Sequence, residues 1–139
     1  MDRLETVMDL CSTHLTAGSN YMQLSNYKAA IQEFTKVIEL LPEHIDLTAK
    51  FFNETNPPSE LRNLNIDNIK NNAQIAYMGR AMSYLAIDEE SKAKADRAMA
   101  DKIKDKNSLE EIKAELTGGG MAGCITIIII IVLIFMFLR

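Results

Sequence analysis

The sequence has few of the residues from which catalytic and metal sites are usually built. It contains two histidines, His14 and His44, and two cysteines, Cys11 and Cys124, among 139 residues. Cys11 and His14 have the spacing of half a metal site, but no second Cys/His pair completes it. Two cysteines form no disulfide framework and are typical of a reducing compartment. Because phosphate-loop and nucleophile motifs are also missing, we predict a non-enzymatic protein without metal or cofactor.

The chain also lacks the excess of positive charge that a nucleic-acid-binding protein needs. The formal net charge is −4, and residues 1–60 carry nine acidic side chains against four basic ones. We therefore predict no nucleic-acid partner. A solvated acidic surface explains the imbalance, although the same surface would also suit a basic partner.

One stretch lacks charge altogether. Residues 121–138, MAGCITIIIIIVLIFMFL, contain no charged side chain. As a helix they would span about 27 Å, close to the thickness of a bilayer's hydrocarbon core. A chain this short has no core that could surround such a helix, and a cleaved signal would lie at the other end. The stretch predicts a membrane partner and a transmembrane tail anchor, with a glycine hinge at 117–120.

Residues 4–41 have the pattern of two amphipathic helices joined by a tight turn. Apolar residues recur at helical spacing through residues 4–23 and 27–41, and Ser25-Asn26 separates the two runs. Proline disrupts helices, so we expect Pro42 to close the second one. The pattern predicts an antiparallel helical hairpin.

The segment AGSNYMQLSNYKAAIQEFTKVIELLP resembles a tetratricopeptide (TPR) repeat. With Pro42 as the terminal proline, the small and aromatic positions of the repeat hold Gly18, Tyr21, Ala30 and Phe34. Small residues let helices approach closely where a large residue of the partner inserts. The resemblance places a first repeat at about 11–42.

A weaker match to the same repeat extends from about residue 74 to residue 104. Its small and aromatic positions hold Ala81, Tyr84, Ala93 and Ala100, whereas Arg97 replaces an aromatic residue and no terminal proline follows. The resemblance implies that these residues pack the repeat.

An insert of about 43–71 separates the two repeats. It begins with a helical pattern and breaks at Asn56-Pro57-Pro58, which is compatible with an extended repeat or with a disordered loop. Asp67 is the expected N-cap of the helix that runs through Ile87.

Ser108-Leu109-Glu110-Glu111 is a capping box, which predicts a last short helix at 108–116 with Leu109, Ile112 and Leu116 on one side. TPR arrays commonly end in such a capping helix. The predicted fold is therefore all-α. It comprises a two-repeat TPR-like domain over residues 1–116, the hinge and a C-terminal single transmembrane helix.

The resemblance implies a peptide-binding groove, because the first helix of each TPR repeat lines the concave face. The groove residues would be Leu15, Ser19, Met22, Ile75, Met78, Met82 and Leu85. Chaperone-binding TPR domains place cations and amides at positions that hold Leu15, Ser19 and Gly79 here, so their carboxylate clamp is absent. An apolar, methionine-rich strip suits the apolar side of an amphipathic helix. Packing of this strip by the helix at 108–116, or by the insert, is an equally good interpretation.

The architecture resembles the tail-anchored TPR receptors of outer-membrane protein import. The resemblance implies a receptor or adaptor on the cytosolic face of an organelle membrane, which binds amphipathic targeting helices or partner subunits of a membrane complex. The mitochondrial outer membrane, or that of a related organelle, is favoured over the endoplasmic reticulum. Two alternatives stay open: a scaffold adaptor that recruits a soluble partner, like the mitochondrial fission adaptor, and a tail-anchored TPR co-chaperone of the endoplasmic reticulum.

Overall fold

The computed structural model describes residues 2–118, and this part of the chain is all-α, as predicted. Its helices are α1 (Asp2–Gln23), α2 (Tyr27–Thr55), α3 (Ser59–Ala86), α4 (Glu90–Lys104) and α5 (Leu109–Gly118). The predicted tail anchor at 121–138 lies outside the described residues. Among the helices that are described, none is long and apolar enough to cross a membrane. Helix α5 extends to Gly118, so the first half of the predicted hinge is helical.

The first two helices form the predicted hairpin. The turn between them has Ser25 in the left-handed region, with φ 57°. Asn26 then caps α2, because its side-chain oxygen accepts a hydrogen bond of 3.3 Å from the backbone N–H of Ala29. The turn is therefore fixed by the two residues that interrupt the apolar pattern.

Pro42 does not end α2, and this prediction is wrong. Helix α2 is continuous over 29 residues with Pro42 in its interior. A proline there removes one backbone hydrogen bond and crowds the preceding turn. Burial on both sides of it offsets this cost, because Leu41, Ile45 and Thr48 are almost completely inaccessible. Tertiary packing decides where this helix ends.

The predicted insert at 43–71 is helical on both sides of a short break, so it is not a disordered loop. Asn56 ends α2 in the left-handed conformation, with φ 44°, and Pro58 precedes the first residue of α3. The break at Asn56-Pro57-Pro58 is confirmed. Asp67, by contrast, lies in the interior of α3 rather than at its start. The fixed φ of a proline favours helix initiation, and Pro58 marks a start nine residues before Asp67.

The core forms between α1, α2 and α3 and continues to α4 and α5. Its buried members include Val7, Cys11, Val37, Leu41, Ile45, Ile69, Ala73, Ala76, Ala100, Ile103 and Ile112. Burial raises the pKa of the Cys11 thiol to about 11, because a thiolate would lose its hydration there. Cys11 is therefore an unreactive core residue.

The Phe34 side chain fixes the approach of α1 and α3 to α2. A Cβ atom added to Gly18 would lie 2.8 Å from the Phe34 ring, and one added to Gly79 would lie 2.5 Å from it. Any side chain larger than hydrogen at either position would overlap the ring. Both glycines are therefore required by packing, on opposite helices around one aromatic residue.

Candidate helix-binding surface

Four apolar side chains are exposed along one face of α3. Ile75 is 49% exposed, Met78 39%, Met82 51% and Leu85 38%. They are spaced three or four residues apart, so they lie on one side of the helix. Contiguous exposed apolar residues are typical of contact surfaces, so this row is a candidate binding site. We call these four residues the α3 strip.

The three α1 residues of the predicted groove are less accessible than the α3 strip. Leu15 and Met22 are half-buried, and only Ser19 is exposed. Leu15 packs against the hydrophobic core. Helix α1 contacts both α2 and α3. Within the predicted groove, the α3 strip therefore supplies most of the exposed apolar surface.

A cleft beside the α3 strip adds depth to this surface. It has a volume of about 390 Å³ and is lined by Gln74, Ile75, Met78, Ala100, Asp101 and Lys104. The lining combines apolar side chains of α3 with one charge of each sign on α4. Such a cleft can receive an apolar anchor residue and pair with a polar group at its rim.

Helix α5 leaves the α3 strip uncovered. It packs mainly against α2 and α4, and its buried residues are Leu109 and Ile112. A salt bridge of 2.5 Å between Lys113 and Asp46 also attaches it to α2. The alternative in which the helix at 108–116 fills the predicted groove is therefore wrong. The predicted cap is formed, because Ser108 Oγ accepts from the Glu111 N–H at 3.2 Å and the Glu111 carboxylate accepts from the Asn107 N–H at 3.0 Å.

The residues expected to pack the repeats are distributed between core and surface. Gly18, Ala30, Phe34, Ala81, Ala93 and Ala100 are buried. Tyr84 is half-buried, and the Lys92 ammonium lies 5.5 Å from its ring centroid. Tyr21 is 37% exposed and lies near the α1–α2 turn. The small residues are thus interior, whereas the two tyrosines border the surface.

An ion pair that the sequence reasoning missed joins α3 to α4. The Arg80 guanidinium donates two hydrogen bonds of 2.7 Å to the Asp96 carboxylate, and a third of 3.2 Å to Thr35 of α2. Its carbon atom lies 5.5 Å from the ring centroid of Tyr77 and 5.9 Å from that of Tyr84. Burial lowers the pKa of Arg80, but the hydrogen bonds to Asp96 and the attraction to its charge outweigh this effect. The pKa of Arg80 is therefore raised overall, and the guanidinium stays protonated. This cluster holds α3, and with it the α3 strip, in position.

The two histidines have different environments. His14 Nδ1 lies 2.5 Å from Glu33, which also pairs with Lys36 at 2.8 Å. His44 is 3% exposed, and its Nδ1 atom is buried without a hydrogen-bond partner. Burial lowers the pKa of His44. Over residues 2–118, no group of three or more His, Cys, Asp or Glu side chains could hold a metal ion.

A second cleft lies where α2, α3 and α5 meet. Its volume is about 400 Å³, and its lining includes Phe52, Ile66 and Leu109. Arg62 closes part of it, because its guanidinium stacks over the Phe52 ring at 5.6 Å and donates to the Pro57 carbonyl oxygen at 3.0 Å. Arg62 thus forms part of the wall of this cleft, which is similar in volume to the cleft beside the α3 strip.

Comparison of the chain with protein-family models, with curated proteins and with solved structures finds no match.

Proposed function

We propose that this protein is a tail-anchored, TPR-like receptor or adaptor on the cytosolic face of an organelle membrane. In this proposal the α3 strip binds the apolar side of an amphipathic helix. The observation that carries the proposal is the exposure of Ile75, Met78, Met82 and Leu85 on one helical face that α5 does not cover. Met78 and Met82 have flexible, polarisable side chains, which adapt to different apolar partners.

The TPR-like assignment is supported by the two helical hairpins, α1 with α2 and α3 with α4. Each hairpin joins its helices through a short turn. Small residues stand at the closest approaches, as Gly18 does against Phe34. Helices α2 and α3 contain 29 and 28 residues, because the insert lengthens both of them rather than forming a separate loop. The domain is in this respect a modified repeat pair.

The charge of the domain favours a ligand with a basic polar face. Helix α1 exposes Asp2, Glu5 and Asp9, and the net charge of the chain is −4. Complementary charge raises association rates and disfavours acidic competitors. Basic amphipathic targeting helices of imported proteins combine this charge with an apolar face. We therefore propose an outer-membrane import machinery as the setting, and the mitochondrial or a related outer membrane as the location.

The test is a binding titration with the full chain in lipid nanodiscs. A fluorescent, basic amphipathic peptide is titrated and followed by anisotropy, with a scrambled peptide of equal charge as reference. The double variant Met78→Glu, Met82→Glu is expected to bind at least about tenfold more weakly, because two apolar contacts are lost.

The control variant adds the same two charges elsewhere. Ser91→Glu with Ala98→Glu changes two exposed positions on α4 and is expected to bind like the unmodified chain. Equal affinity of the methionine variant and this control would contradict the proposal. Equal affinity for the amphipathic and scrambled peptides would instead contradict the receptor function and favour the alternative of a scaffold adaptor for a different partner.

A further inference from the structure

The α3 strip is the end of a longer exposed pattern on the same helix. From residue 61 to residue 85, exposed residues on one face alternate in spacings of three and four. They are Leu61, Leu64, Asn68, Asn71, Ile75, Met78, Met82 and Leu85. This is the a/d pattern of a coiled coil, in which such residues face a partner helix. We call the whole set the α3 seam.

The N-terminal half of the α3 seam is as open as the α3 strip. Leu61 is 40% exposed and Leu64 is 56% exposed. Ile69, Ala73 and Ala76, which pack into the domain, lie on the opposite side of the helix. Two residues at the edges of the C-terminal half of the seam are also packed, because Ala81 is buried and Gly79 lies against the Phe34 ring. The α3 seam is thus an apolar face of α3 that has no partner within the described part of the chain.

Two asparagines at the centre of the α3 seam restrict what can cover it. Asn68 and Asn71 are both exposed. A partner helix that is apolar at these levels would bury two amide groups without hydrogen bonds, which is costly. A partner that presents an amide at each of the same levels avoids this cost. A second copy of this chain, parallel and in register, places Asn68 opposite the partner's Asn68 and Asn71 opposite the partner's Asn71.

The polar residues that flank the α3 seam suit a parallel pairing. Glu60 and Asp67 lie at g positions, and Asn65 and Asn72 lie at e positions. In a parallel pair, residues at g face residues at e of the other helix, so each carboxylate meets an amide donor.

We propose that two copies of this protein pair through the α3 seam as a parallel, two-stranded coiled coil. Ile75 at an a position and Leu64 and Leu85 at d positions fit this geometry, because β-branched residues at a with leucine at d favour two strands. The two-fold axis then runs along α3. Pairing covers Ile75, Met78, Met82 and Leu85, so a second copy and a ligand helix compete for the same residues.

The dimer does not depend on the proposed receptor function, and its test places one cysteine in each half of the α3 seam. The full chain is reconstituted in vesicles with Cys124→Ala as background, because Cys11 is fully buried and its thiol is unreactive. Leu64→Cys or Leu85→Cys is then added, and disulfide formation is followed under mild oxidation. Two cysteines can be bridged when their Cα atoms lie within about 7 Å, which a parallel, in-register pair provides at both positions.

Both variants are expected to form reducible dimers, several-fold faster than Ser91→Cys, an exposed position on α4 that reports random encounters in the membrane. Adding Leu61→Glu and Asn68→Lys to the Leu85→Cys variant is expected to lower the rate of disulfide formation to that of Ser91→Cys, because both changes place like charges opposite each other in the seam. Equal rates for Leu64→Cys and Ser91→Cys would overturn the proposal. The Leu64→Cys and Ile75→Cys variants are also mixed, because these positions face each other only in an antiparallel pair. Rapid disulfide formation in this mixture, but not in Leu64→Cys alone, would overturn the parallel arrangement. Neither result bears on the peptide titration, so the two proposals fail separately.

Discussion

Phe34 determines how closely the first three helices pack. The ring lies against the backbone of α1 at Gly18 and that of α3 at Gly79. Gly18 could be predicted from the sequence, because the spacing to Phe34 matches a known repeat pattern. Gly79 could not, since its role depends on a contact with a residue 45 positions earlier. Only the folded arrangement identifies which glycine faces the ring.

Replacing Gly79 by alanine is expected to destabilise the domain. Alanine at this position is favoured in a helix by about 1 kcal/mol, but its Cβ would overlap the Phe34 ring, and overpacking costs about 1–3 kcal/mol. Urea unfolding of the full chain in detergent micelles measures the difference in the free energy of unfolding.

Gly118→Ala is the matched control, because a Cβ there would have no neighbour within 4 Å. It should leave the stability unchanged or raise it. Combining Gly79→Ala with Phe34→Leu should cost less than the sum of the two single changes. A Gly79→Ala variant as stable as Gly118→Ala would contradict the packing described around Phe34.

His44 makes the stability of the domain depend on pH. Burial lowers its pKa below the ordinary value of 6.5. Below pH 6.5 the unfolded chain therefore binds a proton that the folded chain does not accept. The stabilising effect of neutral His44 is complete above this pH and decreases as the pH falls below it.

His44→Leu is expected to reduce the loss of stability between about pH 6.5 and pH 5, and to have little cost at pH 8, because it removes a buried nitrogen without a partner. Thermal unfolding at several pH values measures this slope. Glu33 acts in a lower range, since hydrogen bonding to Lys36 lowers its pKa from 4.5 and its contribution is lost only as the pH falls below that value. An unchanged slope in the variant above pH 5 would contradict the buried, neutral state of His44.

At the scale of the elements, tertiary packing overrides some of the local sequence signals for helix starts and ends. Asn26 and Ser108 have side chains that bond to the following backbone N–H groups, and both mark helix starts in the structure. Pro42 is a local signal too, but burial of the residues that follow it continues α2 to Thr55. Asp67 failed as a cap because the polar segment before it is helical through its packing, with Ile66 partly buried against the core.

The Arg80–Asp96 pair is expected to hold α4 against α3. Removing one member leaves an uncompensated charge, and for a largely buried pair this costs about 3 kcal/mol. Asp96→Ala should therefore lower the free energy of unfolding by roughly this amount. The exposed pair Lys50–Glu54, 3.8 Å apart, provides the control, since Glu54→Ala should cost less than about 0.5 kcal/mol. Similar losses in both variants would contradict a structural role for Arg80.

At the scale of the whole molecule, the fold leaves one face of α3 without a partner. The exposed positions of the α3 strip could be predicted from the resemblance to a repeat, because its first helices line a common face. The rest of the α3 seam could not, since residues 61–71 were assigned to an insert and only a continuous α3 places Leu61 and Leu64 in line with Ile75. The exposure of the α3 strip also depends on the position of α5, which the sequence does not determine. Helix α5 packs mainly against α2 and α4, so it leaves the α3 strip exposed.

The most direct test of the central claim uses the methionine methyl groups as reporters. The full chain in nanodiscs is labelled with ¹³C-methyl methionine, and its spectrum is recorded while the basic amphipathic peptide is added. We predict that the signals of Met78 and Met82 shift with the binding curve, whereas that of Met99, which packs against the core, does not. Binding that leaves Met78 and Met82 unchanged would contradict the assignment of the α3 strip as the ligand surface.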